Sequence, residues 1–114
     1  MPLSDQPMLL RIYTDEPALF GDESLVSLIV QRARAAGLAG STVLRGRLGF
    51  GQASHLHGHR PFSLSDNLPV VIECVDDEAK LRAFAAQLDD FQDIGLITFE
   101  KVEVVRYGRP SASG

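Results

Sequence analysis

Apolar positions along the chain fall into clusters whose spacing alternates between strand and helix. Met8 to Tyr13 (MLLRIY) is a short apolar run that reads as a strand. Leu25, Leu28, Ile29, Ala33 and Ala36 recur at helical spacing, so one face of that segment is apolar. Gly21-Asp22-Glu23 opens this helix, with Asp22 as N-cap and Glu23 favourable in the first turn. Gly37 stops it, because glycine takes the left-handed cap conformation at little cost. Ser41 to Leu48 (STVLRGRL) is a second strand. Leu68 to Val75 (LPVVIECV) is a third, rich in β-branched residues, with Pro69 near its start, where a strand tolerates proline. Asp76-Asp77-Glu78 caps a second helix with the stripe Leu81, Phe84, Ala85 and Leu88. Gly95 breaks that pattern, and Ile97 to Tyr107 (ITFEKVEVVRY) alternates as a fourth strand.

The order β-α-β, loop, β-α-β predicts an α+β, ferredoxin-like split βαβ sandwich: a four-stranded antiparallel sheet with two helices on one face. Two helices cover only one sheet face, yet the strands are apolar on both. Val70, Ile72 and Cys74 oppose Val71 and Val75; Leu10 and Ile12 oppose Leu9 and Tyr13. A sheet with one face in water alternates more cleanly, so the bare face is expected to pack against another copy of the chain.

At 114 residues and 45% apolar content the chain suits one domain with one modest core. That domain is expected over residues 1–107, with residues 108–114 a flexible C-terminal tail. The net charge of −4 disfavours nucleic-acid binding, which needs a basic footprint. The single cysteine, Cys74, lies in an apolar run and reads as a core residue. No signal peptide or membrane-spanning run is visible, so the expected location is cytoplasmic.

The chemistry concentrates in one place. Arg45 to Arg60 holds all 3 histidines and lies within a stretch, Glu23 to Asp66, that has no carboxylate between its ends. Gly46, Gly49, Gly51 and Gly58 let backbone N–H groups approach a ligand, and Arg45, Arg47 and Arg60 add forked donors suited to phosphate. An anion site and a plain solvated hairpin loop both fit this composition. His55, His57 and His59 share one side if the segment is extended and could hold Zn²⁺ or Cu²⁺; a divalent-metal-binding protein is the alternative reading, and a pH-responsive loop a third. Catalysis finds little support. Cys74 has no base beside it, Ser54 and His55 point to opposite faces of a strand, and Asn67 lacks the setting of an acylphosphatase site. Glu73 interrupts an apolar strand and is expected to pair with Arg45 or Arg47 across the sheet. Arg106 and Arg109, around a Tyr107-Gly108 turn, are either further phosphate contacts or surface arginines.

Leu10-Arg11-Ile12-Tyr13, the run Ala35 to Gly46 (AAGLAGSTVLRG), Gly49-Phe50-Gly51, Leu68 to Glu73 and Val102 to Tyr107 resemble a bacterial family of PII-like signalling proteins. The resemblance covers residues 8 to 107. It implies a non-enzymatic regulatory homotrimer with its bare sheet faces packed inside, no obligatory cofactor, and an adenine nucleotide as effector in the clefts between subunits. It also implies that Gly49 to Ser65 is the T-loop, docking onto a partner such as a membrane transporter or ion channel. By the same resemblance Arg45, Gly46, Arg47, Gly49, Phe50 and Gly51 form the ligand-facing base, with Arg106 and Arg109 on the phosphate side. Gln52, Ser54, His55, His57, His59 and Arg60 form the partner-facing tip. The loop is shorter than in PII proper and lacks its modified tyrosine. Asp89-Asp90-Phe91-Gln92-Asp93 stands where PII has a phosphate-binding segment rich in lysine and glycine.

Overall fold

The computed structural model describes residues 6–47 and 68–108. Six strands, two α-helices and a 3₁₀ turn follow in the order β1 (Pro7–Asp15), β2 (Leu19–Phe20), β3 (Glu23–Ser24), α1 (Leu25–Ala35), β4 (Ser41–Arg45), β5 (Pro69–Asp77), α2 (Glu78–Ala86), the 3₁₀ turn Gln87–Asp90 and β6 (Leu96–Lys101). The main sheet has four strands in the order β4-β5-β1-β6, every neighbouring pair antiparallel. This is the expected split βαβ arrangement.

Strict alternation in β1 and β5 sends Met8, Leu10, Ile12, Val70, Ile72 and Cys74 under the helices, where all are buried. Ile29 and Ala33 of α1 and Leu81 and Phe84 of α2 close this core. Burial of this apolar surface is the main favourable term in folding.

Several element boundaries differ from the sequence expectation. The first helix starts at Leu25, not at Gly21-Asp22-Glu23. Leu19–Phe20 pairs with Glu23–Ser24 as a miniature hairpin, and Gly21 sits at φ +64° in its turn, the conformation a tight two-residue turn asks of a leading glycine. Ser24 is therefore the N-cap, its Oγ accepting from the Ser27 N–H at 3.3 Å. Phe20 packs edge-on against Phe91, with ring centroids 4.7 Å apart, which ties the hairpin to the core.

The third strand runs on to Asp77, so Asp76 belongs to the sheet and not to a helix cap. Asp77 occupies the N-cap of α2 but makes no side-chain cap bond. The Glu78 N–H is taken instead by the Gln6 carbonyl at 2.9 Å. The second strand ends at Arg45, short of Leu48. The last strand stops at Lys101, where Tyr107 was expected. Its partner β1 begins at Pro7, whose carbonyl still accepts the Val102 N–H at 3.4 Å, just past the end of the ladder. Gly37 does end the first helical stretch, at φ +77°.

Candidate functional site

The face of the sheet opposite the helices is built from the odd positions of β1 and β5. Its register sets three rows side by side. Leu44, Val71, Tyr13 and Leu96 lie across the four strands as one apolar row, with Leu44 48% and Leu96 53% exposed. Next to it run Thr42, Glu73, Arg11 and Thr98, and then Val75, Leu9 and Glu100. Arg11 donates to Glu73 from Nε and to Glu100 from Nη1, each at 3.0 Å. Its hydrogen bond to Glu73, with the field of Glu100 in support, raises the guanidinium pKa above its ordinary value. Glu73 thus pairs with Arg11, directly across the β1–β5 ladder. The expected pairing with Arg45 or Arg47 does not form, because Glu73 and Arg45 point to opposite faces of the sheet.

The base of the long β4–β5 connection lies where three segments meet. Gly46 N–H donates to the Pro69 carbonyl at 2.7 Å, and Glu16 N–H donates to the Leu68 carbonyl at 2.9 Å. The loop thus leaves and re-enters the sheet beside the end of β1. A side chain at Gly46 would put its Cβ 2.7 Å from Pro69 Cγ, so glycine is required there by the close approach of a stiff ring. Arg45 forms an ion pair with Glu16, Nε to Oε1 at 2.5 Å, both side chains reaching solvent. Arg47 is exposed next to it.

The opposite end of the sheet carries the chain's C-terminal stretch. Val102 to Tyr107 passes Leu9 and Val75 and encloses with them a groove of about 590 Å³. Tyr107 Oη donates to the Ala39 carbonyl at 3.0 Å. Arg106 is exposed beside it. Ala39 is held from the other side as well: Asp76 Oδ2 accepts its N–H at 2.8 Å, while Oδ1 accepts the Asp77 N–H at 2.7 Å. Lys80 stands 3.4 Å from Asp76 and donates to the Gly37 carbonyl at 2.7 Å.

Of the expected ligand-facing residues, Arg45, Gly46 and Arg47 therefore cluster, but Arg106 does not join them within one chain. Arg45 closes β4 at one end, while Arg106 neighbours a tyrosine bonded just before Ser41 at the other. Gly49, Phe50, Gly51, Arg109 and the tip residues Gln52, Ser54, His55, His57, His59 and Arg60 lie outside the described residues. So does any metal site the three histidines could make; among the described residues no group of three potential metal ligands occurs. Sequence reasoning missed Glu16 and the Asp76–Lys80 clamp. The four-residue spacing of Asp76 and Lys80 was a usable signal. Glu16 offered none, since it is distant in sequence from the residue it meets.

Cys74 is buried, its Sγ 3.6 Å from Ser41 Oγ. Burial pushes the thiol pKa up, against a smaller lowering by the Ser41 hydrogen bond. It is a core residue, and no helix among the described residues is long and apolar enough to cross a membrane.

Comparison with known proteins agrees with this architecture. The family model DUF190, described as Uncharacterized ACR, matches residues 7–104. A UPF0166 protein of Aquifex aeolicus is 38% identical over 97 residues, covering 85% of this chain and 91% of that protein. Among solved structures, CPII from Thiomonas intermedia K12 bound to ADP, AMP and acetate superposes with a TM-score of 0.61 at 16% identity, over 89% of this chain and 91% of that one. The same protein, a nitrogen regulatory PII-like protein, bound to ADP, AMP and bicarbonate, gives 0.54 at 21% identity, over 88% and 90%. The expected kinship with PII-like proteins thus holds at the level of the fold.

Proposed function

The chain belongs to the DUF190 family, and from that premise we propose that it is a PII-like regulatory protein without catalytic activity, which binds an adenine nucleotide in clefts between the subunits of a homotrimer. The observation that carries this reading is the separation of the arginines. Arg45 and Arg47 stand at one end of the sheet and Arg106 at the other, so only a neighbouring copy can bring both sets to one anion. The open face supplies a surface for that copy: an apolar row from Leu44 to Leu96 beside a row with a satisfied ion pair. Buried between subunits, such a row gains about 25 cal/mol per Å² of apolar area removed from water. Support also comes from CPII, which shares the fold and is described with ADP and AMP bound.

In this reading Arg45, Gly46, Arg47, Gly49, Phe50 and Gly51 form the base of the site and Arg106 and Arg109 reach it from the adjoining subunit. Residues 49–65 serve as the T-loop, with Gln52, Ser54, His55, His57, His59 and Arg60 toward a partner such as a membrane transporter, on the cytoplasmic side. Ligand binding biases the loop between arrangements, and a regulator needs no more chemistry than that.

Calorimetry with ATP, ADP, AMP and cyclic dinucleotides on the wild type and Arg45→Ala tests the site. Heat with at least one nucleotide, lost or weakened about tenfold in the variant, is the expected result, the scale of one charged hydrogen bond. Silence with all of them sinks the reading. A solution mass of one chain removes the shared cleft.

A further inference from the structure

Arg45 is not an idle donor. Its Nε is held by Glu16 at 2.5 Å, in a pair of which the arginine side chain is 64% and the glutamate 39% exposed. No carboxylate occurs in the sequence between Glu23 and Asp66, so this one reaches the loop base from the end of β1, on the far side of a helix and a strand. It is also tethered there, because the Glu16 N–H is bonded to the Leu68 carbonyl at the returning end of the loop. A tethered carboxylate acts at a high effective concentration, whatever the solution contains.

We propose that Glu16 is an internal counter-anion for Arg45, which a phosphate group must displace to bind, and which thereby sets the ligand concentration at which Arg45 is occupied. This rests on the reading above that Arg45 faces the ligand. The chemistry allows the exchange. The carboxylate engages Nε and is part-exposed, and pairs of that kind are weak. A phosphate brings more charge and further acceptor oxygens for the forked guanidinium. A tethered competitor lowers the affinity of every anion that uses Arg45 by one common factor, and that common factor is its signature.

The test is calorimetry with ADP and with inorganic pyrophosphate, at fixed ionic strength, on four proteins: wild type, Glu16→Gln, Arg45→Ala and the double variant. Glu16→Gln keeps the side chain's size and removes its charge. It is expected to bind both anions about two- to fivefold more tightly, the range that a part-exposed ion pair spans, and to give no gain in the Arg45→Ala background. Equal or weaker binding by Glu16→Gln overturns the proposal. So does a gain that persists without Arg45, since that marks a general loss of negative charge. If neither the wild type nor Glu16→Gln binds either anion, the reading of Arg45 as a ligand residue fails, and the counter-anion falls with it.

Discussion

Gly46 and Pro69 share one small space: the glycine N–H donates to the proline carbonyl at 2.7 Å, and a Cβ on the glycine would stand 2.7 Å from the proline Cγ. The two residues close the neck from which the long loop emerges. Gly46→Ala has to push the ring or the strand end aside, at an expected cost of about 1–3 kcal/mol, the range for overpacking a tight site. Urea unfolding followed by circular dichroism measures it. An unchanged midpoint would mean that the neck opens freely.

Leu96 sits at the edge of the open face, 53% exposed in a single chain. Leu96→Asp should therefore leave the fold intact, with an unaltered far-ultraviolet spectrum, since exposed substitutions cost within about 0.5 kcal/mol. Assembly is another matter: in the proposed trimer, a carboxylate in the apolar row should lower the mass in solution from three chains to one. Sedimentation equilibrium separates the outcomes, and an unchanged mass would show that copies do not meet on this row.

Asp76 is 3% exposed and receives two backbone N–H groups. Asp76→Ala removes this acceptor from both part-buried donors, and a donor left unsatisfied in a buried site costs about 1–3 kcal/mol. A loss of about 2–4 kcal/mol in urea unfolding follows from that range. Asp76→Asn keeps one acceptor oxygen and should lose less. Equal losses in the two variants would place the effect on the charge facing Lys80 instead.

Cys74 makes stability depend on pH in the alkaline range. Burial raises the thiol's pKa in the folded chain above the reference value of 9.0. The unfolded chain then loses its proton first, so it gains from alkali what the folded chain does not. The contribution is complete below the unfolded value and is lost as pH rises through the folded one. Comparing urea midpoints of the wild type and Cys74→Ala from pH 7 to pH 10 isolates it: the wild type should fall more steeply above about pH 9. Parallel curves would count against a protected thiol.

The fold was legible because its signal is periodic. Alternation along β1 and β5 and the helical spacing from Leu25 to Ala33 report burial, and burial decides the sheet and the core. Element ends were less readable because they depend on partners remote in sequence. Nothing near Lys101 announces that its partner strand begins at Pro7, and nothing near Glu23 announces that Leu19–Phe20 pairs with it. The site divides along the same line. Arg45, Gly46 and Arg47 stood out by composition, in a stretch free of carboxylates. Glu16, the acid that reaches into that stretch, and Arg11, the true partner of Glu73, become visible only once β1 lies beside β5.

Two messages are interleaved in β1. Met8, Leu10, Ile12 and Thr14 are buried under the helices, while Leu9, Arg11 and Tyr13 belong to the other face. Substitution at one set can leave the other untouched, so the two surfaces are free to diverge separately. Loss or gain of a single residue inside the strand does not have that freedom. It shifts the alternation by one, sending Arg11 toward the core and Ile12 toward the open face together. Among descendants of this gene the composition of β1 can drift, but its length is expected to stay fixed.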